Sequence, residues 1–370
     1  MHVIFCILLR PFDIIKIHLY VKRKPKMPGP NSFGVLRINA YLVTNILTNL
    51  NYCIMARLRR MIYQKGAVGH IFQRARSGFV VFYSVKDSLV FFTIFSLTAA
   101  KHRIRVLGLC LMYNHIHVLV EAEDHKTIAR FMQELCSKFS KTYNIRHGLK
   151  GSLLSTYGLS NKRGGKQART SLAYLYNNPV EDRICKRAED WRWNFLVYAE
   201  SDHPYSDKLI PREASVSMRK ALSRVKMLHA HGRPLSYEVL DDLFLSLNVS
   251  EKKQLIDFIV REYSVIDFKR VISYYGSYRN MLTAFSSNTG SEYDIREPHD
   301  PYSGADYKKM THHLAADGRF SGIEDVLRLQ AEERIAYLNE LISRCGVSIE
   351  HARKFLRIEA VEDKTLKHRR

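Results

Sequence analysis

"LCLMYNHIHVLVE", residues 109–121, decides how this chain is read. Two apolar runs flank Tyr113-Asn114, a plausible tight turn, and predict two strands. Residues i and i+2 of a strand point to the same face, so His115 and His117 present two imidazoles side by side. Two satisfied histidines on a half-buried strand are the plain reading of such a pair. A metal site is the sharper one, and the choice depends on what surrounds it.

Outward from this stretch, "VGHIFQRA" and "GFVVFYS" are β-rich runs, and "DSLVFFTIFSLTAAKH" has helical length with Asp87 in N-cap position. "RIRVLGLCLM" and "HIHVLVE" are the two strands around the turn. "KTIARFMQELCSKFSKTY" is an amphipathic helix with Ile128, Phe131, Met132, Leu135, Phe139 and Tyr143 on one face and Arg130, Lys138 and Lys141 on the other. The order strand, helix, strand, strand, helix predicts a ferredoxin-like α+β arrangement, an antiparallel sheet covered by helices on one face. A loop rich in Gly, Lys and Arg, "GLSNKRGGKQART", comes next. In "SLAYLYNNPVEDRICKRAEDWRWNFLVY", which follows it, Pro179 is expected to end a helix near Asn178.

The 370 residues carry 58 Lys and Arg against 36 Asp and Glu, a formal net charge of +22. Such an excess points to a polyanionic partner, nucleic acid first and an anionic membrane surface second. No run of 18 apolar residues occurs, so no transmembrane helix and no membrane partner are expected. None of the six cysteines forms a CxxC pair, which speaks against a zinc knuckle or a disulfide framework and fits a reducing cytoplasm.

Three regions are expected. Residues 1–54 hold one acidic residue, Asp13, against seven Lys or Arg, and read as a basic upstream extension without a folded role; Met55 opens what looks like an ordinary protein start. Residues 55–204 form the α+β unit. Residues 205–370 are mostly helical, with "EASVSMRKALSRVKML", "SEKKQLIDFIVREY" and "IEDVLRLQAEERIAYLNELISRCG" each helix-like, and the stretch around Gly346, residues 332–370, has helix-turn-helix texture. "DIREPHDPYSGADYKK" reads as a polar loop.

His115-Ile116-His117 in "LMYNHIHVLVE", followed by "YLYNNPV" about 57 residues on and then by "DWRWNFLVY", resembles the single-tyrosine HUH transposases, and among them the REP-associated tyrosine transposases. The resemblance spans roughly residues 57–200. It implies a ferredoxin-like nuclease domain, a divalent metal (Mg²⁺ or Mn²⁺) on His115 and His117, and a tyrosine that cleaves single-stranded or hairpin DNA through a 5′-phosphotyrosine. It also implies a homodimer and a cytoplasmic, DNA-associated protein. Tyr174 aligns with the nucleophile and Asn178, one turn later, with a third metal ligand; Asn capping the helix before Pro179 is the alternative for Asn178. Gln73 and Arg74 fall where the family faces DNA, and Lys162, Arg163, Lys166 and Arg169 are phosphate-contact candidates, or simply a solvated charge run. Trp191 and Trp193 read as core, because "WRWNFLVY" has period-2 apolar spacing.

The chain departs from the resemblance in its long helical C-terminal part and its Gly/Lys-rich stretch before Thr170. Two other functions stand beside the transposase reading. A DNA-binding regulator would act through the C-terminal helices with an idle HUH site. A histidine-triad hydrolase would need a third alternating His, but position 119 is Leu.

Overall fold

A computed structural model describes residues 3–6, 18–21, 63, 65–288 and 303–359. Strands β1 (Val3–Cys6) and β2 (His18–Val21) pair antiparallel within one compact unit, Met1–Asn51; Tyr52–Arg370 form another. The rest of the basic extension, residues 294–302 of the expected polar loop and residues 360–370 of the expected helix-turn-helix stretch lie outside the described residues, while residues 303–309 of that loop are helical rather than looped.

The second unit begins with β3 (Val68–Arg74), α1 (Val85–Lys101), β4 (Arg105–Leu111), β5 (His115–Glu121), α2 (His125–His147) and β6 (Gly158–Lys162). The strands form one antiparallel sheet in the order β4-β5-β3-β6. This is the ferredoxin-like split βαβ arrangement, as the sequence predicts, with a fourth strand that the polar composition of "GLSNK" conceals. That strand is a half-buried edge, which needs little apolar content.

Local chemistry sets the helix ends. Ser84, not Asp87, is the N-cap of α1: its hydroxyl accepts from the Asp87 N–H while the Asp87 carboxylate accepts from the Ser84 N–H. Asp124 caps α2, and Gly148, with φ of 65°, ends it. The run "GFVVFYS" is not a strand. Its backbone is bonded irregularly, with Val81 and Phe82 donating to Tyr113 O and Val80 donating to Lys354 O. "WRWNFLVY" is a chain of 3₁₀ turns with Phe195 at φ of 63°, and both tryptophans pack, partly buried, against the core.

Helices cover both faces of the sheet rather than one. Ile71, Leu109, Leu111, Ile116, Val118 and Val120 meet Phe91, Phe95, Phe131, Phe139 and other apolar side chains of α1 and α2. All six residues assigned to the apolar face of α2 are fully buried. On the other face, Leu107, Cys110, Met112 and Leu119 meet Leu172, Leu175 and Tyr176 of α3 (Gly164–Glu181). Close approach of α3 depends on Gly108, where a Cβ would stand 3.3 Å from Leu175 Cδ2. Pro179 sits inside the last turn of α3, which continues to Glu181, because Asp182 N–H donates to Asn178 O and Ile184 N–H to Pro179 O beyond it.

Nine further helices follow among the described residues: α4 (Val216–Ala230), α5 (Tyr237–Leu245), α6 (Val249–Tyr263), α7 (Phe268–Ser273), α8 (Tyr278–Ser287), α9 (Ser303–Ala316), α10 (Ile323–Arg328), α11 (Ala331–Cys345) and α12 (Ile349–Phe355). The single helix expected over 323–346 is broken at Leu329-Gln330. The core runs on without interruption past residue 204. Leu235, Tyr237, Leu255 and Ile259 join the α1/α2 cluster, and Met281, Phe285 and Tyr307 join the α3 cluster. Tyr237 Oη donates to the buried Asp87 carboxylate (2.7 Å), which also faces His147 Nε2 at 3.1 Å. The pair α11–α12 turns at Gly346 in the left-handed conformation. Its second helix is pinned to the α+β part: Tyr83 Oη donates to Phe355 O (2.6 Å) and Arg357 Nη1 to Val80 O (3.0 Å).

Candidate functional site

On the face toward α3, the strand pairing places His117 opposite Phe72 and His115 opposite Arg74, with His70 diagonal to His117. His115 and His117 share the face that their spacing predicts, with ring centres 5.0 Å apart at 87°. Helix α3 then sets Tyr174 against them. Its ring centre lies 5.4 Å from His117 of the same chain, edge-on, and 5.7 Å from that of His70. Tyr174 is half-buried, while both family-motif imidazoles are buried.

The two tyrosines of "AYLYNNPV" separate as a 200° helical offset requires. Tyr176 points into the apolar interior, stacks on Phe285 (5.1 Å) and is fully buried, with no hydrogen-bond partner for its hydroxyl. Burial pushes its phenol pKa well above the ordinary value. Asn178 lies one turn after Tyr174 and is buried; its amide nitrogen reaches back to Tyr174 O at 3.3 Å, which leaves Oδ1 as the ligand atom it can offer. Asn177 is turned elsewhere and donates to Phe285 O.

The third imidazole, His70, is the residue that sequence reasoning overlooks. Its Nε2 lies 3.1 Å from His117 Nδ1, with the rings stacked at 5.3 Å and 25°. Burial, with Lys162 adding to it, pushes the His70 pKa down to about 3, so the ring is neutral at ordinary pH. Its signal in the sequence is slight: one histidine in "VGHIFQRA", whose relation to position 117 exists only once β3 pairs with β5. On the far side of the site, His115 Nδ1 lies 2.7 Å from Asn114 Oδ1.

The donor set fits a divalent cation. Each imidazole of the motif has its Nδ1 against a neighbour, so Nε2 is the atom each could offer a cation, and the amide oxygen of Asn178 could add an oxygen donor. Among the described residues, His313, Asp317 and Glu340 form another three-ligand group. There Arg319 already bridges both carboxylates (2.6 and 2.8 Å), so that group is an ion-pair network.

The DNA-contact candidates divide. Arg74 lies on the histidine face, half-buried. Lys162 ends β6, Arg163 is the N-cap of α3, and Lys166 and Arg169 stand exposed on its first turns. Lys166, Arg169, Tyr274 and Tyr275 line a cleft of about 380 Å³ beside that helix. Gln73 is a correction: it faces the opposite side of the sheet, is buried, donates to Ser155 O (2.8 Å) and accepts from Cys136 Sγ (3.1 Å). Its amide is consumed inside the fold.

Residues 70–156 match the family described as "Transposase IS200 like". The matched segment includes His70, His115 and His117, stops short of Tyr174, and supports a transposase-type function. One solved structure is similar, that of a REP-associated tyrosine transposase bound to a REP hairpin, at 17% identity and a TM-score of 0.30, over 35% of this chain and 77% of that one. No curated protein matches. No helix among the described residues is long and apolar enough to cross a membrane.

Proposed function

We propose that the protein cleaves and rejoins single-stranded or hairpin DNA as a transposase-type endonuclease, with Tyr174 as nucleophile. The observation that carries this reading is the placement of Tyr174 against His117, on a face whose Nδ1 atoms are both held by neighbours. His115 and His117 through Nε2, and Asn178 through Oδ1, would hold Mg²⁺ or Mn²⁺. When bound, the cation polarises the scissile phosphate and offsets charge on its oxygens.

The chain's own groups do the rest. An ordinary phenol has a pKa near 10, so Tyr174 must reach the phosphate in a position where its proton is readily lost. Its oxygen forms a bond to phosphorus while the bond to the 3′ oxygen breaks. The phenol proton leaves to water and the departing 3′ oxygen takes one up. One phosphodiester replaces another, so an incoming 3′-hydroxyl reverses the exchange without an external energy source. Helix α3, packed through Leu172, Leu175 and Tyr176, keeps the nucleophile from drifting. Arg74, Lys162, Arg163, Lys166 and Arg169 supply phosphate contacts, and the cleft with Tyr274 and Tyr275 suits an unpaired strand, which proteins hold by cations and aromatic faces together. The homodimer and the cytoplasmic location belong to this same proposal.

The deciding experiment incubates the protein with a labelled single-stranded oligonucleotide and Mn²⁺, then denatures it in SDS. A covalent adduct is expected; EDTA and His115→Ala or His117→Ala should each remove it while binding in native gels persists, because phosphate contacts supply most of the affinity. A shift seen only under native conditions would instead favour a DNA-binding regulator.

A further inference from the structure

Resting on the reading just given, we infer that His70 is a positioning residue: its Nε2 accepts the Nδ1–H of His117 and thereby fixes the tautomer in which His117 Nε2 carries the coordinating lone pair.

The geometry leaves two arrangements of one proton. The His70 Nε2 to His117 Nδ1 distance of 3.1 Å requires a hydrogen on one nitrogen or the other. If His70 donates, the His117 proton moves to Nε2 and that atom cannot coordinate. If His117 donates, its Nε2 keeps the lone pair, and the His70 proton sits on Nδ1, a buried atom with no hydrogen-bond partner. Leaving that donor unmade costs about 1–3 kcal/mol. The alternative would put that N–H on His117 Nε2, itself a buried atom, so the hydrogen-bond cost does not choose between the two; only the arrangement in which His117 donates leaves the ligand lone pair in place.

His115 shows the same device in unambiguous form. Its Nδ1 faces Asn114 at the amide oxygen, an acceptor only, so His115 must be protonated on Nδ1. His70 does for His117 what the Asn114 oxygen does for His115, and the two motif histidines end in matching tautomers. Strand order makes this possible. β3 lies beside β5 in the sheet, so a residue of β3 reaches the second histidine of the motif from the side. A carboxylate in that place would also accept the proton, but it would add a buried negative charge; a neutral imidazole accepts it without changing the charge of the site.

The test begins without metal or DNA. In the full chain labelled with ¹⁵N at histidine, long-range proton–nitrogen correlation reports the tautomer of each ring. His117 protonated on Nδ1 is expected; His117 protonated on Nε2 overturns the inference. Mn²⁺ binding followed by electron paramagnetic resonance then separates positioning from packing. His70→Phe keeps a flat ring but removes the acceptor, and should weaken Mn²⁺ binding about 10–100-fold, the range found when partners of metal-ligating histidines are removed. His70→Gln restores an acceptor oxygen and should recover most of that loss. Equal Mn²⁺ affinity in the parent and His70→Phe, with the parent binding, would also overturn the inference. If the parent binds no Mn²⁺, the metal reading fails, and the tautomer spectrum of the parent still decides the role of His70.

Discussion

The two faces of one sheet are built on opposite principles. Toward α1 and α2, Ile71 of β3, Val106, Leu109 and Leu111 of β4, and Ile116, Val118 and Val120 of β5 join an apolar cluster in which Phe91 packs edge-on against Phe139 at 4.9 Å and Phe95 against Phe131 at 5.6 Å. Toward α3, the same strands present His70, His115, His117 and Arg74, met by a single helix that turns one tyrosine to them and buries another. The first face carries stability through area removed from water; the second spends buried polar groups that a core would not choose. Because side chains alternate along a strand, neighbouring residues such as Ile116 and His117 can serve the two ends separately.

Substitutions can break or sharpen that division. The largest effect is expected from Tyr174→Phe, which removes one oxygen from a half-buried ring. The SDS-resistant DNA adduct should fall by on the order of 10³-fold or more, as for removal of other enzymatic nucleophiles. An adduct that persists, mapped by mass spectrometry to Tyr176, would undo the assignment. Next in size, Phe131→Ala on the opposite face should cost about 3–5 kcal/mol of folding stability by chemical denaturation, while the protein that remains folded forms adduct at the normal rate. Loss of adduct formation in that folded fraction would mean that the faces are not independent.

Tyr237→Phe comes third. It deletes a buried hydrogen bond to the Asp87 carboxylate and should cost about 1.5–3 kcal/mol, although Tyr237 lies 150 positions along the chain from Asp87 of α1. A neutral result would show that the helical region merely rests on the α+β part. The smallest effect belongs to Tyr176→Phe, since that hydroxyl is buried without a partner. Stability should hold or rise by up to about 1 kcal/mol, and the adduct should remain.

Much of this was legible in the sequence, for reasons that the two faces make plain. Apolar periodicity announces a dry face, so the buried stripe of α2 from Ile128 to Tyr143 could be written down residue by residue. The His-x-His spacing and the i, i+4 relation of Tyr174 and Asn178 are likewise local. What stayed hidden depends on pairing across the chain. His70 gains meaning only from its strand neighbour, and Gln73 shows its inward direction only once Ser155 and Cys136 are beside it. The edge strand β6 has too few apolar residues to declare itself. The helix through Pro179 outlasts the local rule because backbone bonds from Asp182 and Ile184 close its end. The boundary expected at residue 204 follows a change in secondary structure, whereas the packing is continuous there.

The bond from Tyr83 to Phe355 spans 272 positions. A ribosome adding about 5–20 residues per second would need roughly 14 to 54 s to travel between them. Throughout that interval the segment between β3 and α1 lacks the contacts that α12 supplies, and α1 lacks the cover of Tyr237 for a large part of it. A half-made chain therefore displays apolar surface that Tyr237 and α12 later cover, a state in which chaperones or proteases can meet it. Emergence of α12, rather than emergence of the motif, is the event that closes the fold around its chemistry.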